Sequence, residues 1–533
     1  MRNFSRHLSW KFIYLPLIAV VVFVVWMFVH PEYLNYHEQN QLFLFTGDYL
    51  VERLSIPGGL ADWVSEFVVQ FFYHPWSGAV MMGLLFVAIS LFQPTTTGRL
   101  VIPLLLLWLM ADSEVLLSYS VALLLALVAY RAMRKQTAWC TDVLVLPILY
   151  WLMGPMAWLY LALRCVDSIR KECFYIVWLL AIEGLAYHFL LPQHPLVAVL
   201  WGINYYRIPE HGTAMMWIIP LVTVVLYAAR SFLENRLKDG KVSFRIAYAV
   251  IVGVSLCVIA VYSVKAYDKD TCEALKQDML IRQGQWQEII ARAEKWQSRN
   301  SFSSNAVNLA LAKTRQLADR QFDFYQSGDD ALIMPSTRDN LSNAPSAEVF
   351  YQLGMVQSAL RYAFDLQQSV LNLRKSGRWT KRLAECYIVN GQYDVAQRYL
   401  DELKRSLFYR SWALEAEDIM HDEKAINRHP EWGRMRRMRF QNDFLFNYGE
   451  KDKMFGQLFI SNNHNAMALD YFMAQLLLDG KMQDVMQYMG VVQQYGGYAV
   501  MPRVYRDAVR LIRSQGREMD SSYGQYARRM MGQ

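Results

Sequence analysis

"DVLVLPILYWLMGPMAWLYLAL", residues 142–163, decides how the first half of this chain folds. Its flanks are basic at both ends, with Arg131, Arg134 and Lys135 before it and Arg164, Arg170 and Lys171 after it. Lys and Arg collect on the cytoplasmic side of membrane segments, so both ends belong on one side. Yet the stretch is barely longer than the roughly 20 residues that one helical crossing needs. Gly154-Pro155 at its centre supplies a turn. The reading is a short or re-entrant hairpin, which is tolerated where neighbouring protein shields the backbone.

Working outward, apolar runs stand at 12–29, 77–93, 100–111, 115–130, 174–191, 214–229 and 244–264. Arg2, Arg6 and Lys11 precede the first run, and Arg99, the two clusters above, and Arg230, Arg236, Lys238 and Lys241 fill alternate connections. With the hairpin counted twice, parity gives about nine passes with the N-terminus inside. Everything after Lys265 then lies outside the cytoplasm, which in a diderm bacterium is the periplasm. The first run has a basic start like a signal sequence, but His-Pro-Glu-Tyr follows it where small residues would mark a cleavage site, so it reads as a retained anchor.

Composition agrees with a chain in two parts. Of 533 residues 54% are hydrophobic and 14% aromatic, too apolar for an ordinary soluble pair of domains, yet the mean hydropathy is only +0.09 because the second half is polar. The net charge of +7 resides largely in loops that set orientation, so it does not imply nucleic acid. Six cysteines without metal-ligand spacing give neither a disulfide scaffold nor a zinc site. Cys272 and Cys386 alone fall in the polar half, where their redox state is left open.

Parity also collects the ionisable residues. In "FVHPEYLNYHEQNQLFLFTGDYL", residues 28–50, Glu32, His37, Glu38 and Asp48 follow the first run directly. They fall on the outer side with His74, with Asp112 and Glu114 of "ADSEV", and with "PQHPLVAVLWGINYYRIPEHG". Six of the ten histidines sit in or beside these outer connections. Glu183 lies within an apolar run, where a carboxylate is costly enough to suggest a role.

From about residue 266 the periodicity is helical. "ALKQDMLIRQGQWQEIIARAEKW" and "RLAECYIVNGQYDVAQRYLDELKR" each place a Gly and then an aromatic between two apolar-periodic helices, and "YFMAQLLLDGKMQDVMQYMGVV" does so more loosely. The glycine permits the tight turn and small residues let the paired helices approach. "FYQSGDDALIMPSTRDNLSNAPSAE" breaks the array as a loop. "RMRRMRF", Arg434 to Phe440, is either a site for anionic headgroups or glycan, or a solvated helix face. The fold class is therefore all-α. A polytopic membrane bundle, residues 1–265 with an outer loop at 30–76, precedes a periplasmic helical-repeat domain, residues 266–533.

"NGQYDVAQRYL" resembles tetratricopeptide repeats, which implies a concave surface for a periplasmic protein or peptide. The first half resembles GT-C glycosyltransferases: a first span, an outer loop bearing acids, the amphipathic stretch "GGLADWVSEFVVQFFYHPW", and a second acidic motif two spans later. The resemblance implies sugar transfer from a polyprenyl-phosphate donor at the outer face of a bacterial inner membrane, with the lipid bilayer as partner. On the matching positions Glu38, or Asp48 in its place, and Asp112 with Glu114 become the catalytic carboxylates. His37, His74, Arg53, Glu183, His188 and Arg207 become substrate-binding residues, the arginines facing phosphate. The cofactor is not fixed, a divalent cation being the candidate. The sequence departs from those enzymes in having His-Glu where they carry Asp-Glu, and in its fewer passes. The whole chain is also similar to an uncharacterised family of Bacteroidota inner-membrane proteins, through "PGGLADW", "QFFYHPW" and "NGQYDVAQRYLDELKRSLFYRSWA". The rival reading is a non-enzymatic anchored scaffold. A transporter is disfavoured because no inverted repeat is visible.

Overall fold

The computed structural model describes residues 15–136, 139–167, 169–192, 196–201, 215–230, 268–337, 339–370, 374–440, 446–514, 517 and 520–530. The described residues are helical with no β-strand among them, and they form two compact units. The first runs to Asp268 and includes Arg405–Phe408, and the second holds the remainder from Lys269.

In the first unit α1, Leu15–Val29, meets α2, Pro31–Gln39, at 78°. Pro31 has no N–H to continue the first helix and starts the second. Two short helices follow, α3 at Gly47–Leu54 and α4 at Gly59–Val69. A bundle then comprises α5 (Pro75–Phe92), α6 (Thr96–Leu109), α7 (Leu117–Met133), α8 (Trp139–Met153), α9 (Ala157–Asp167), α10 (Ile169–Phe189), α11 (Leu196–Trp201) and α12 (Met215–Ala228).

Side-chain bonds fix the directions of these helices. Arg164 on α9 donates to Asp142 on α8 at 2.6 Å, and Tyr160 donates to the same carboxylate at 2.5 Å. In one straight helix Asp142 and Arg164 would stand about 33 Å apart. The chain therefore reverses between them, at Gly154, whose φ of +64° a side chain resists, and Pro155. Trp178 of α10 donates to Val143 O at 3.0 Å, the carbonyl that Pro147 cannot pair within α8, so α10 runs alongside α8. Tyr119 reaches Met216 O at 2.6 Å near the starts of α7 and α12, and Tyr130 bonds Tyr227 near their ends, so these two are parallel. Arg131 reaches Leu91 O at 3.1 Å, aligning the ends of α7 and α5.

The bundle thus alternates between two ends. Arg99, Arg131, Arg134, Lys135, Arg164 and Arg230 gather at one. Glu32, Glu38, Asp48, Asp62, Glu66, Asp112 and Glu114 belong to the connections of the other. Apolar side chains stay exposed in helical stripes, such as Leu17, Val20, Val24 and Phe28 on α1 and Phe174, Val177 and Leu180 on α10.

Nine full-length crossings are not what the described residues supply. Pro75–Phe92 is long and apolar enough, the stretch Thr141–Asp167 is so by length and composition but reverses at Gly154, and the bent pair Leu15–Val29 with Pro31–Gln39 adds another if it is taken as one span. Helices such as Thr96–Leu109 extend only about 21 Å, short of a hydrocarbon core of roughly 30 Å. The run at 244–264 lies outside the described residues.

In the second unit one turn recurs four times. Gly284, Gly354, Gly391 and Gly480 all take positive φ, and the N–H after each bonds back to Leu280 O, Phe350 O, Tyr387 O and Leu476 O respectively, at 2.9 Å in every case. Each closes one helix and opens the next: α13 (Lys269–Gln283) to α14 (Trp286–Lys295), α15 (Ala344–Leu353) to α16 (Val356–Gln368), α17 (Gly377–Asn390) to α18 (Tyr393–Leu403), and α19 (Ala466–Leu478) to α20 (Met482–Tyr495). The turn at Gly354 has Val356 where the others carry a larger side chain and was not read from sequence. Segment 324–343 has no α-helix, and Asn308 and Asn305 hold it by donating to Ala331 O and Leu332 O at 3.0 and 2.6 Å. Cys272 and Cys386 are not in a disulfide.

The "RMRRMRF" cluster is a set of internal struts. Arg434 donates to Gln352 at 2.8 Å, Arg436 to Ile388 O at 3.1 Å and to Glu423, and Arg439 to Val389 O at 3.1 Å.

Candidate functional site

The acidic end of the first unit carries the predicted carboxylates. Every residue from Glu32 to Gln41 is buried, including the polar run Asn35, His37, Glu38, Gln39, Asn40 and Gln41. Glu38 is 3% exposed. Local bonds organise the run: Gln41 Nε2 lies 3.0 Å from His37 Nδ1, and Asn40 donates to Tyr36 O at 3.0 Å. His30 lies 2.9 Å from Glu32. The Tyr33 ring packs on Trp26 at 4.5 Å and on His37 at 4.1 Å.

Tyr33 also joins the two acidic motifs. Its hydroxyl donates to Val115 O at 2.9 Å across 82 residues of chain, and its electrostatic surroundings include Asp112. Asp112 accepts from Glu114 N at 3.0 Å, and Val115 N closes on Asp112 O at 3.1 Å, so a tight turn presents both acids half-buried. Glu38 stands five residues beyond Tyr33, about 7.5 Å further along α2.

The other expected residues are placed differently. Asp48 is exposed in the first turn of α3, where a carboxylate complements the helix dipole, whereas Glu38 is buried. His74 is exposed at the start of α5, and His188 is exposed five residues beyond Glu183. Glu183 is 1% exposed between the tip of the α8–α9 hairpin and α10, and accepts from Trp158 at 2.8 Å. Arg207 lies outside the described residues.

Arg53 is engaged inside the protein. Its Nε is 3.1 Å from Glu66, both side chains being buried, and the Tyr49 hydroxyl bonds the same carboxylate oxygen. Burial opposes the Arg53 charge, but Glu66, Tyr49 and Asp62 hold the guanidinium above its usual range. Burial and then Glu66 push the Tyr49 hydroxyl well up. Gly59 makes the approach feasible, since a Cβ there would stand 1.9 Å from Arg53 O. Sequence reasoning missed this cluster. The signal was present: Asp62 and Glu66 are spaced i, i+4 within the otherwise apolar "GLADWVSEFVV", and both are buried.

Glu38, Asp112 and Glu114 do not form a three-ligand group close enough to share an ion. The second unit contains a groove of about 560 Å³ whose lining includes Leu478, Met482, Leu511, Tyr523 and Met530.

No curated protein and no solved structure matches the chain. Residues 6–530 match the model described as "Family of unknown function (DUF6057)", and over that span the chain belongs to this family.

Proposed function

We propose that this protein is a membrane glycosyltransferase of GT-C type. It transfers a sugar from a polyprenyl-phosphate donor at the outer face of a bacterial inner membrane, with the helical lobe docking an acceptor or partner. One observation carries the reading. The Tyr33 hydroxyl bond to Val115 O holds the Asp112 turn against the helix that bears Glu38, although the two motifs are far apart in sequence. In this scheme Glu38 takes the proton from the acceptor hydroxyl as it attacks the anomeric carbon, the bond from that carbon to the phosphate oxygen breaks and the polyprenyl phosphate leaves as the anion, and burial keeps competing water away. Asp112 and Glu114 orient the acceptor. Asp48, His74 and His188, all exposed, are at most contacts for an approaching substrate, and His37 buttresses α2. Arg53 is not assigned to phosphate, since Glu66 already neutralises it. The outward siting of the acidic end follows from the basic opposite end, and the exposed apolar stripes suit lipid.

The test is transfer from radiolabelled polyprenyl-phosphate sugar by the full-length protein in membranes. Glu38→Gln and Asp112→Asn are each expected to lower transfer at least about a hundredfold, the first through loss of general base catalysis and the second through loss of acceptor positioning. Unchanged transfer in both variants, at equal protein levels, overturns the enzymatic reading.

A second reading, an anchored periplasmic scaffold, is favoured by the four matching interhelical turns and the groove of the second unit. Under it, removing residues 269–533 abolishes partner co-purification, and Glu38→Gln changes nothing.

A further inference from the structure

Glu183 poses a charge problem that the proposed reaction does not use. Its side chain is 1% exposed, one oxygen accepts the Trp158 indole N–H at 2.8 Å, and the other has no hydrogen-bond partner. The Tyr150 hydroxyl of α8 is also buried without a hydrogen-bond partner, and lies within electrostatic reach of Glu183. The opposite face of α10 exposes Leu185 and Phe189, so the carboxylate points into the bundle and away from this apolar surface.

Among the described residues the elements packed most closely against α10 are α8, α9 and α11. On α8 the titratable groups besides Tyr150 are Cys140 in its first turn and Asp142, which Arg164 and Tyr160 of α9 satisfy at the other end of the hairpin. Arg164 stands six residues beyond Trp158, about 9 Å along α9. Asp167 is bonded to Tyr130, Tyr227 and Arg230, α9 also carries Cys165, and α11 carries no ionisable residue. On α10 itself are Arg170, Lys171, Glu172 and Cys173, which precede Glu183 by ten residues or more, about 15 Å along the helix, then Tyr175, Tyr187 and the exposed His188. Among the described residues no cation pairs with Glu183. A buried carboxylate held by one indole N–H is not sustained as a bare charge in such surroundings.

We propose that Glu183, with the Tyr150 hydroxyl, binds a monovalent cation inside the bundle, either a hydrogen ion or a sodium ion. The Trp158 bond orients one oxygen and leaves the other without a hydrogen-bond partner, as the Tyr150 hydroxyl also is. The site is independent of sugar transfer.

Dicyclohexylcarbodiimide, which adds to protonated carboxyl groups in apolar surroundings, tests it on the full-length protein in lipid nanodiscs, read by peptide mass spectrometry. The expected result is an adduct on Glu183 that is lost in Glu183→Gln and weakens as pH rises. If sodium is the occupant, sodium chloride protects Glu183 and raises the melting temperature of the wild type, while an equal concentration of N-methylglucamine chloride does neither. Glu183→Gln keeps an acceptor for Trp158 and should fold, and its melting temperature should no longer respond to sodium. Absence of an adduct at every pH, together with sodium-independent melting, overturns the proposal. So does labelling that appears only after Arg207→Gln, since a guanidinium then supplies the missing charge.

Discussion

Replacing Asp142 and Arg164 together by cysteine, in a chain freed of its six native cysteines, tests the reversal on which the bundle depends. In the structure the two side chains meet at 2.6 Å, whereas one continuous helix separates the residues by about 33 Å. A short bifunctional thiol reagent added to membranes should therefore join them within one chain in high yield. The energetics give a second reading of the same pair. Removing one partner of a buried ion pair typically costs about 3–5 kcal/mol. Arg164 keeps bonds to Met133 O at 3.2 Å and Gln136 O at 3.1 Å, each worth roughly 1 kcal/mol, so Asp142→Ala should cost about 1–3 kcal/mol. The double replacement should cost less than the sum of the single ones, because it strands no charge. Absence of a cross-link in protein that still melts cooperatively would refute the reversal. The count of passes that assigns the second unit to the outer side would fall with it, and single-cysteine labelling at Arg134 and at Gly284 should then report the same side where the hairpin predicts opposite sides.

Further outcomes follow from other bonds. Tyr33→Phe removes only the hydroxyl bond to Val115 O. It should cost about 1 kcal/mol and lower sugar transfer while leaving the protein level unchanged, measured beside Glu38→Gln. Burial pushes Asp470 up to about 6, against the opposing pull of Arg315 at 2.6 Å and of Tyr498. A carboxyl near 3.9 when unfolded then takes up a proton on folding between these values, so its contribution to stability is greatest below pH 4 and is lost as pH rises through 6. The loss amounts to about 3 kcal/mol, and Asp470→Asn should flatten the profile of melting temperature against pH across that window. Gly354→Ala should destabilise far more than Gly391→Ala, both sites having positive φ. A Cβ at Gly354 would stand 2.7 Å from Met438 O, whereas at Gly391 nothing lies within 4 Å and only backbone strain of about 1 kcal/mol remains, as equilibrium unfolding would show.

The sequence by itself determined what depends on neighbours along the chain. Apolar periodicity and the absence of alternating segments gave helices throughout. The basic flanks of residues 142–163 and the Gly154-Pro155 pair gave a reversal, and the glycines at 284, 391 and 480 gave three of the four interhelical turns. These are legible because helix formation, turn geometry and charge bias act over a few residues. Glu38 and Asp112 could be nominated from their positions after apolar runs, but only the tertiary structure decided that one is buried, that Asp48 is not, and that Tyr33 ties α2 to the Asp112 turn. The same holds for Arg53, which looked available for phosphate until Glu66 was found 3.1 Å away. Burial and ion pairing are set by side chains brought together from distant parts of the chain, and spacing along the chain carries no record of which acid meets which base.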